Sequence, residues 1–262
     1  MTTFRTMLLA GSALALTAPA ALAAPVIALL DSGDLVSFDT GMPAEVTMIE
    51  VTGAEDLVGI DLRPANNTLV GVTAAGGIVT IDPATGAATD LSTMTTMLPA
   101  SDMPVIVDFN PMADRLRLMT GTTNHRVNVD TGEVTVDGSL AFESGDMHAG
   151  EAPAIAAAAY INAYGKPEKT AMYDIDTTIG ALIRQTSPND GTLAAIGKLG
   201  IEMGDSTPAF DIQTTADGTN SAWLMVSGTI YAVDLETGAA TEAVMVEGIE
   251  GDVIDFTVMP AM

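Results

Sequence analysis

The chain has 262 residues, of which 48% are hydrophobic, 4% aromatic and 16% charged, and it contains no cysteine. Nine Lys and Arg against 34 Asp and Glu give a formal net charge of −25, a surface that repels nucleic acids and anionic membranes. The length is sufficient for one large β domain with a full core, on which a secreted chain without disulfides must depend.

The first 23 residues have the pattern of a secretory signal peptide. Arg5 provides the positive charge, residues 7–18 form a short apolar run, and residues 21–23 (Ala-Leu-Ala) have the small side chains of a cleavage site. We therefore predict cleavage after Ala23 and one mature domain over residues 24–262, periplasmic or secreted. Since no Cys stands at the predicted cut, we do not expect a lipid anchor there.

The rest of the sequence repeats a unit of four short strands. Residues 57–91 contain four runs rich in β-branched and apolar residues, separated by turns with Pro, Asn and Gly. A turn of the form Asp-x-x-Thr-Gly, or a near relative, recurs five times. Its terminal glycines, at intervals of 45, 46, 59 and 47 residues, are Gly41, Gly86, Gly132, Gly191 and Gly238. We predict hairpin turns without chemistry, because Asp accepts backbone hydrogen bonds and Gly adopts a positive φ there.

An opening strand with Asp between apolar residues precedes every turn except the first, and a further copy ends the chain. Its Asp residues are Asp61, Asp108, Asp211 and Asp255, and Ala159 takes this place in the strand over residues 155–162. The first three strands lack an opening strand, and the last opening strand lacks the other three. A circular array resolves both deficits, so we predict an all-β fold, a five-bladed β-propeller of four-stranded antiparallel blades in which the C-terminal strand joins the N-terminal strands. A two-sheet sandwich is the alternative fold.

Irregular segments separate the repeats. Residues 94–104, 141–153 and 200–208 connect the last strand of one blade to the first strand of the next, and such connections gather on one face of a propeller. The interval of 59 residues is explained by an insertion at residues 163–169, which lengthens one hairpin of the repeat that opens with Ile155.

Three blocks carry a resemblance to a known family. They are Ile-Asp-x-Arg-Pro at residues 60–64, Phe-Asn-Pro-x-x-Asp-Arg-Leu-Arg at residues 109–117, and Tyr-Asp-Ile-Asp with Pro-Asn-Asp-Gly at residues 173–191. With these blocks, residues 26–259 resemble a bacterial secreted family known as domain of unknown function 4394. The resemblance implies a propeller-like fold and export, and it brings neither an activity nor catalytic residues.

The four Asp residues of the opening strands, Asp61, Asp108, Asp211 and Asp255, are candidate metal ligands. The opening strand of a blade lines the central channel, where carboxylates at one level repel one another unless a cation, water or a raised pKa relieves them. A ring of oxygen ligands suits Ca²⁺ or hydrated Mg²⁺. The alternative is that each Asp accepts hydrogen bonds from backbone N–H groups of a neighbouring blade, and Ala159 breaks the ring.

Arg63, Arg115 and Arg117 are candidates for binding an anionic ligand near the channel. They belong to a set of only eight basic residues after the predicted cut, and Arg115 and Arg117 project to one side of their strand. The alternative is that they form ion pairs with the abundant carboxylates.

Three further groups of residues are candidates for chemistry. The histidines lack Ser-His-Asp order and HExxH spacing, and Glu143, Asp146 and His148 are either a metal site or a solvated loop. The methionines of the segments between blades, Met94, Met97, Met103 and Met147, are either ligands for Cu(I) or replacements for Leu in packing. The channel carboxylates with Glu143 or Glu151 offer the paired acids of a glycosidase.

We expect an exported, monomeric and non-enzymatic binding or scaffold module that meets an unknown protein or glycan at the loop face or the channel mouth. Two alternatives remain open, a glycan-acting hydrolase that uses channel carboxylates and a periplasmic metal-binding protein. A pocket with two carboxylates about 5–9 Å apart would favour the hydrolase.

Overall fold

The computed structural model describes residues 24–204 and 206–260, so the predicted signal peptide lies outside the described residues. The secondary structure in these two ranges consists of 21 β-strands. Within the same ranges, no helix is long and apolar enough to cross a membrane.

The strands form five sheets, the blades, which we number along the chain. Blade 1 contains β1 (Pro25–Leu30), β2 (Leu35–Asp39), β3 (Met42–Ile49) and the last strand, β21 (Val253–Val258). Blade 2 contains β4 (Leu57–Arg63), β5 (Thr68–Thr73), β6 (Gly77–Ile81) and β7 (Ala88–Thr93). Blade 3 contains β8 (Ile106–Asn110), β9 (Arg115–Thr120), β10 (Thr123–Val127) and β11 (Val134–Val136).

Blade 4 contains β13 (Ile155–Tyr160), β14 (Met172–Asp176), β15 (Ala181–Ser187) and β16 (Thr192–Lys198). An additional short strand, β12 (Ala141–Phe142), pairs in parallel with β16 at its outer edge, so this blade has five strands where four were predicted. Blade 5 contains β17 (Ala209–Thr214), β18 (Asn220–Val226), β19 (Thr229–Val233) and β20 (Ala240–Met245).

Five inner strands, one from each blade, surround the centre of the molecule. Each of β4, β8, β13 and β17 contacts the inner strand of the next blade, and β21 contacts both β17 and β4, which closes the ring. Strand β21 completes blade 1 by pairing antiparallel with β1, with Val26 opposite Val258. The predicted five-bladed propeller, closed by the C-terminal strand, is therefore confirmed.

The hydrophobic core lies between the blades. The buried apolar residues form five clusters, and each combines side chains from two neighbouring blades. In one of them, Val70 and Ile78 of blade 2 pack with Leu116 and Leu118 of blade 3. A single blade could not bury both its faces and would not be stable alone. In the ring, each blade packs both faces against its neighbours, and the five blades share a continuous core.

Four of the five glycines of the recurrent turn bring neighbouring blades together. Gly132 has a φ of 72°, which L side chains rarely adopt, and a methyl group at this position would overlap the carbonyl oxygen of Thr93 in blade 2. Gly86, Gly191 and Gly238 have the same positive φ and the same close approach to backbone of the preceding blade or of the connection that leaves it. The turn glycine thus serves hairpin closure and blade docking at once.

We predict that Gly132→Ala lowers the free energy of unfolding by more than Gly150→Ala does. Gly150 also has a positive φ, 86°, but its added methyl group would meet no atom within 4 Å, so it carries only the conformational cost of about 1–2 kcal/mol. The overlap with Thr93 adds about 1–3 kcal/mol, as overpacking does elsewhere. Urea unfolding of both variants measures the difference, and equal losses would show that the close approach relaxes freely.

Candidate functional site

Three carboxylates meet at one level of the central channel. Asp61, Asp108 and Asp211 come from β4, β8 and β17, are 6–8% exposed, and offer oxygen atoms that all lie within 4.8 Å of one another. Together with Thr257 they line a cavity of about 30 Å³. This volume suits a water molecule or a single small cation.

The same carboxylates hold neighbouring blades together. Asp61 Oδ2 accepts a hydrogen bond from the Phe109 backbone N–H at 2.7 Å, and Asp108 Oδ1 accepts one from the Tyr160 N–H at 3.0 Å. Asp211 Oδ2 accepts one from the Val258 N–H at 2.6 Å. Each donor belongs to the inner strand of the next blade, as the hydrogen-bonding alternative predicted.

Asp255 does not share the level of the other three. We call the place of Asp61, Asp108 and Asp211 on their inner strands the ring position. The residue that donates to each of these carboxylates comes one residue after the ring position of the next inner strand. Since Val258 is the donor on β21, Thr257 occupies the ring position of that strand. Asp255 lies two residues earlier and accepts from the Ile60 N–H at 2.9 Å. The repeat pattern that placed Asp255 at the same position is therefore wrong by two residues, although the hydrogen bond of Asp255 to the next blade is of the same kind.

Two ring positions lack a carboxylate. Thr257 donates its hydroxyl to Asp61 Oδ1 at 3.0 Å, whereas Ala159 of β13 offers no polar group. Blades 4 and 5 are joined beyond that gap by other groups. The Asn162 N–H donates to Asn220 Oδ1 at 2.8 Å, and the Ala163 N–H donates to Thr214 Oγ1 at 2.9 Å.

Burial and mutual repulsion change the protonation of the cluster. Burial, reinforced by the charge of Asp211, holds the pKa of Asp61 well above its usual value. Burial and the charges of Asp61 and Asp211 do the same to the pKa of Asp108, and burial raises the pKa of Asp211. None of the ion pairs among the described residues involves these three groups. Protons or a bound cation must therefore neutralise part of this charge.

One oxygen of the cluster is left without a protein partner. Both oxygens of Asp61 and of Asp211 accept hydrogen bonds. Asp108 uses only Oδ1, and its Oδ2 accepts no hydrogen bond from the described residues although the side chain lines the cavity. The cluster thus retains an acceptor for a ligand in the cavity.

Arg63 and Arg115 lie outside the cavity and bond to protein groups. Arg63 donates to Asp114 through Nε and Nη2 at 2.7 and 2.6 Å and to Asp130 through Nη1 at 2.7 Å, so it links blade 2 to blade 3. These carboxylates raise the pKa of Arg63, and Arg63 in turn lowers the pKa of Asp130. Arg115 donates to the Asp114 carbonyl at 2.8 Å.

Arg117 is buried between blades 3 and 4, with 1% of its surface exposed. Its guanidinium donates to the Tyr160 hydroxyl at 3.2 Å, to Asn124 at 2.8 Å, to Asp137 at 2.7 Å and to Asn189 at 3.0 Å. All three arginines predicted to bind a ligand thus donate hydrogen bonds to protein groups, as the ion-pair alternative predicted for Arg63 and Arg117.

A groove beside the channel mouth was not recognised as a site from the sequence. We call it the mouth groove. It is lined by residues of the β13–β14 hairpin and of the β17–β18 hairpin, namely Asn162, Tyr164, Pro167, Glu168, Lys169, Thr214, Thr215, Ala216 and Gly218. Its volume is about 450 Å³, and it shares Thr214 with the channel cavity. The signal in the sequence is the insertion at residues 163–169, which predicts a longer hairpin but does not by itself indicate a groove.

The opposite face, which carries the connections between blades, has a different character. Residues 94–105 border an apolar cavity of about 220 Å³ whose lining includes Met94, Met97 and Met103. At the predicted alternative site, His148 Nδ1 lies 2.9 Å from Glu151 Oε2 in a partly exposed hydrogen bond. The Asp61, Asp108 and Asp211 cluster is the one group of three acidic or His side chains with metal-ligand spacing in the described residues.

The volume of the channel cavity argues against glycoside hydrolysis by the channel carboxylates. Pockets for organic ligands have volumes of about 300–1,000 Å³, whereas the channel carboxylates border about 30 Å³. A sugar ring cannot enter that space. The mouth groove is large enough, but among the residues that line it only Glu168 has a carboxylate, and a glycosidase requires two. The nearby Asp217 does not line the groove and accepts hydrogen bonds within its own turn from Thr215 and Thr219.

Several solved structures are similar to this chain. A protein of unknown function from Bacteroides thetaiotaomicron superimposes with a TM-score of 0.54 at 14% identity, over 90% of this chain and 64% of its own length. An auxiliary nutrient binding protein from Bacteroides ovatus has a TM-score of 0.45 at 13% identity, over 82% of this chain and 57% of its own. The chain therefore spans less than two thirds of either relative, and the first likeness supports the fold alone.

No curated protein matches the sequence. Residues 34–257 match a family described as a domain of unknown function, DUF4394, which covers four of the five blades completely and most of the first. This is the family that the three sequence blocks had indicated. The chain belongs to the DUF4394 family.

Proposed function

We propose that the protein is an exported, non-enzymatic binding module whose ligand occupies the mouth groove. The observation that carries this proposal is the contrast between two adjoining spaces. The carboxylates that could perform hydrolysis border a cavity of about 30 Å³, whereas the groove beside them has about 450 Å³ and lacks a carboxylate pair. The signal pattern of the first 23 residues supports export, and cleavage after Ala23 remains part of the proposal.

A second candidate function is the binding of one divalent cation, Ca²⁺ or Mg²⁺, by Asp61, Asp108 and Asp211. The free Oδ2 of Asp108 and the ion-sized cavity favour it. Asp255 is outside this ligand set because it lies two residues from the ring level. The cation would act as a structural centre that replaces protons, and the hydrogen bonds between blades would remain.

We predict that the stability of the metal-free protein falls as the pH rises from about 5 to about 8. The native pKa values of Asp61 and Asp108 are raised above those of unfolded Asp, about 3.9, so the native state binds more protons in this range and loses that advantage as they dissociate. Thermal unfolding in EDTA across this range measures the decline. A midpoint that rises with pH would contradict the raised pKa values.

Addition of Ca²⁺ at about pH 8 should restore the unfolding midpoint if the cluster binds a cation, because a ligand of the native state alone stabilises it. Asp108→Asn should abolish the restoration. Asp174→Asn is the matched control, since Asp174 is fully buried with a pKa raised to about 7 but lies outside the cavity. A restoration that survives Asp108→Asn and Asp211→Asn would place the ion elsewhere.

Shortening the β13–β14 hairpin should abolish ligand binding. Replacing residues 161–171 with Pro64–Asn67 of blade 2 removes one wall of the groove, and the pairing of Tyr160 with Met172 can still close the hairpin. Ligand-observed NMR with a library of sugars, amino acids, dipeptides and nucleosides would compare both proteins. Binding that persists in the shortened protein would refute the groove as the site, and hydrolysis of aryl glycosides that is lost in Asp108→Asn would favour the hydrolase.

A further inference from the structure

The walls of the mouth groove are fixed before any ligand arrives. Asn162 and Asn220 exchange two hydrogen bonds, from the Asn162 N–H at 2.8 Å and from Asn220 Nδ2 at 3.0 Å, and Thr214 donates to Asn220 at 2.7 Å. Asn162 Nδ2 also donates to the Lys169 carbonyl at 3.0 Å, which ties the two ends of the loop together. A loop held in this way loses little entropy on binding.

The groove presents an exposed aromatic ring. Tyr164 is 52% exposed and is the only aromatic side chain of that exposure in residues 24–204 and 206–260. Trp223 and Tyr160, by comparison, are buried in the cores between blades. In a chain with 4% aromatic residues, this position offers a flat apolar surface with a polar hydroxyl at its end.

The charged groups of the groove balance one another. Glu168 and Lys169 both line it, and neither forms an ion pair with any described residue. One acceptor-only carboxylate and one donor-only ammonium can bond to the hydroxyl groups of a neutral ligand. An anionic ligand would meet the repulsion of a chain with a net charge of −25.

We propose that the mouth groove binds a neutral saccharide of one or two sugar rings. The apolar C–H face of a sugar ring packs on Tyr164, while its hydroxyls bond to Glu168 and Lys169. A volume of about 450 Å³ fits a small organic ligand, whereas a protein partner needs a surface of about 800 Å² on each side. This inference rests on the proposed function, because it assigns the ligand class of the same site.

Calorimetric titration with disaccharides of glucose, galactose, mannose, xylose and N-acetylglucosamine tests the proposal. We expect at least one to bind the wild-type protein with a stoichiometry of one, and Tyr164→Ala to weaken it about tenfold. Glu168→Gln should weaken binding as well, since the amide keeps one acceptor oxygen but loses the charge. Met147→Ala, at an 84% exposed apolar side chain outside the groove, is the matched control and should bind as the wild type does.

The outcomes separate the inference from the proposed function. A disaccharide that binds Tyr164→Ala and the wild type equally well would locate saccharide binding elsewhere and overturn the inference. If no disaccharide binds, while dipeptides bind and are lost in Tyr164→Ala, the ligand class is wrong and the groove remains the binding site. If no disaccharide binds and no member of the library of sugars, amino acids, dipeptides and nucleosides binds either, both the inference and the proposed function fail.

Discussion

The propeller depends on the hydrogen bond from a backbone N–H of one inner strand to the Asp carboxylate of the preceding blade. An inner strand is an edge strand, and its N–H groups that face the channel have no partner in its own sheet. Asp255, Asp61, Asp108 and Asp211 satisfy such groups at four of the five blade interfaces. A carboxylate is suited to this role because it only accepts, and charged acceptors make the stronger hydrogen bonds.

These hydrogen bonds place the Asp carboxylates in the buried centre of the ring, where few water molecules can solvate their charge. Three of the four carboxylates converge within 4.8 Å, so the groups that close the ring also raise one another's pKa values or attract a cation. At the fifth interface Ala159 leaves a gap, and Asn162, Thr214 and Asn220 join the blades with neutral groups. The missing carboxylate and the long hairpin that shapes the mouth groove therefore occur at the same interface.

The spacing of the repeats was sufficient to predict the five blades and their closure. The first repeat lacks an opening strand and the chain ends with one, so a ring in which these pair completes every blade. The level of Asp255 could not be predicted in the same way. Residues two apart on a strand point to the same side, so Asp255 and Thr257, each between apolar residues, fit the pattern equally well. Only the donors on the neighbouring strands distinguish them.

The burial of Arg117 could not be predicted from the sequence either. Its partners Asn124, Asp137, Tyr160 and Asn189 are spread over two blades, and no local pattern brings them together. An arginine in an acidic chain suggests an anion site, and the same residue becomes a link between blades once four acceptors surround it. Local charge therefore indicated an interaction but left its partner open, and the contact with Asp137 agrees with the ion-pair alternative.

The loops on the two faces of the ring differ in how far they are held by contacts with neighbouring blades. On the connection face, segments bond along the outer edge of the next blade, as Thr52 does with Ala87, the Thr95 N–H with the Gly132 carbonyl, and β12 with β16. These segments are occupied in joining blades. The β13–β14 hairpin joins two strands that are already paired, and its contacts with blade 5 are made by Asn162 and Ala163 at its start, so the rest of the hairpin could lengthen without disturbing the ring. That freedom explains why the groove lies at the channel mouth, beside the one inner strand without a ring carboxylate or hydroxyl.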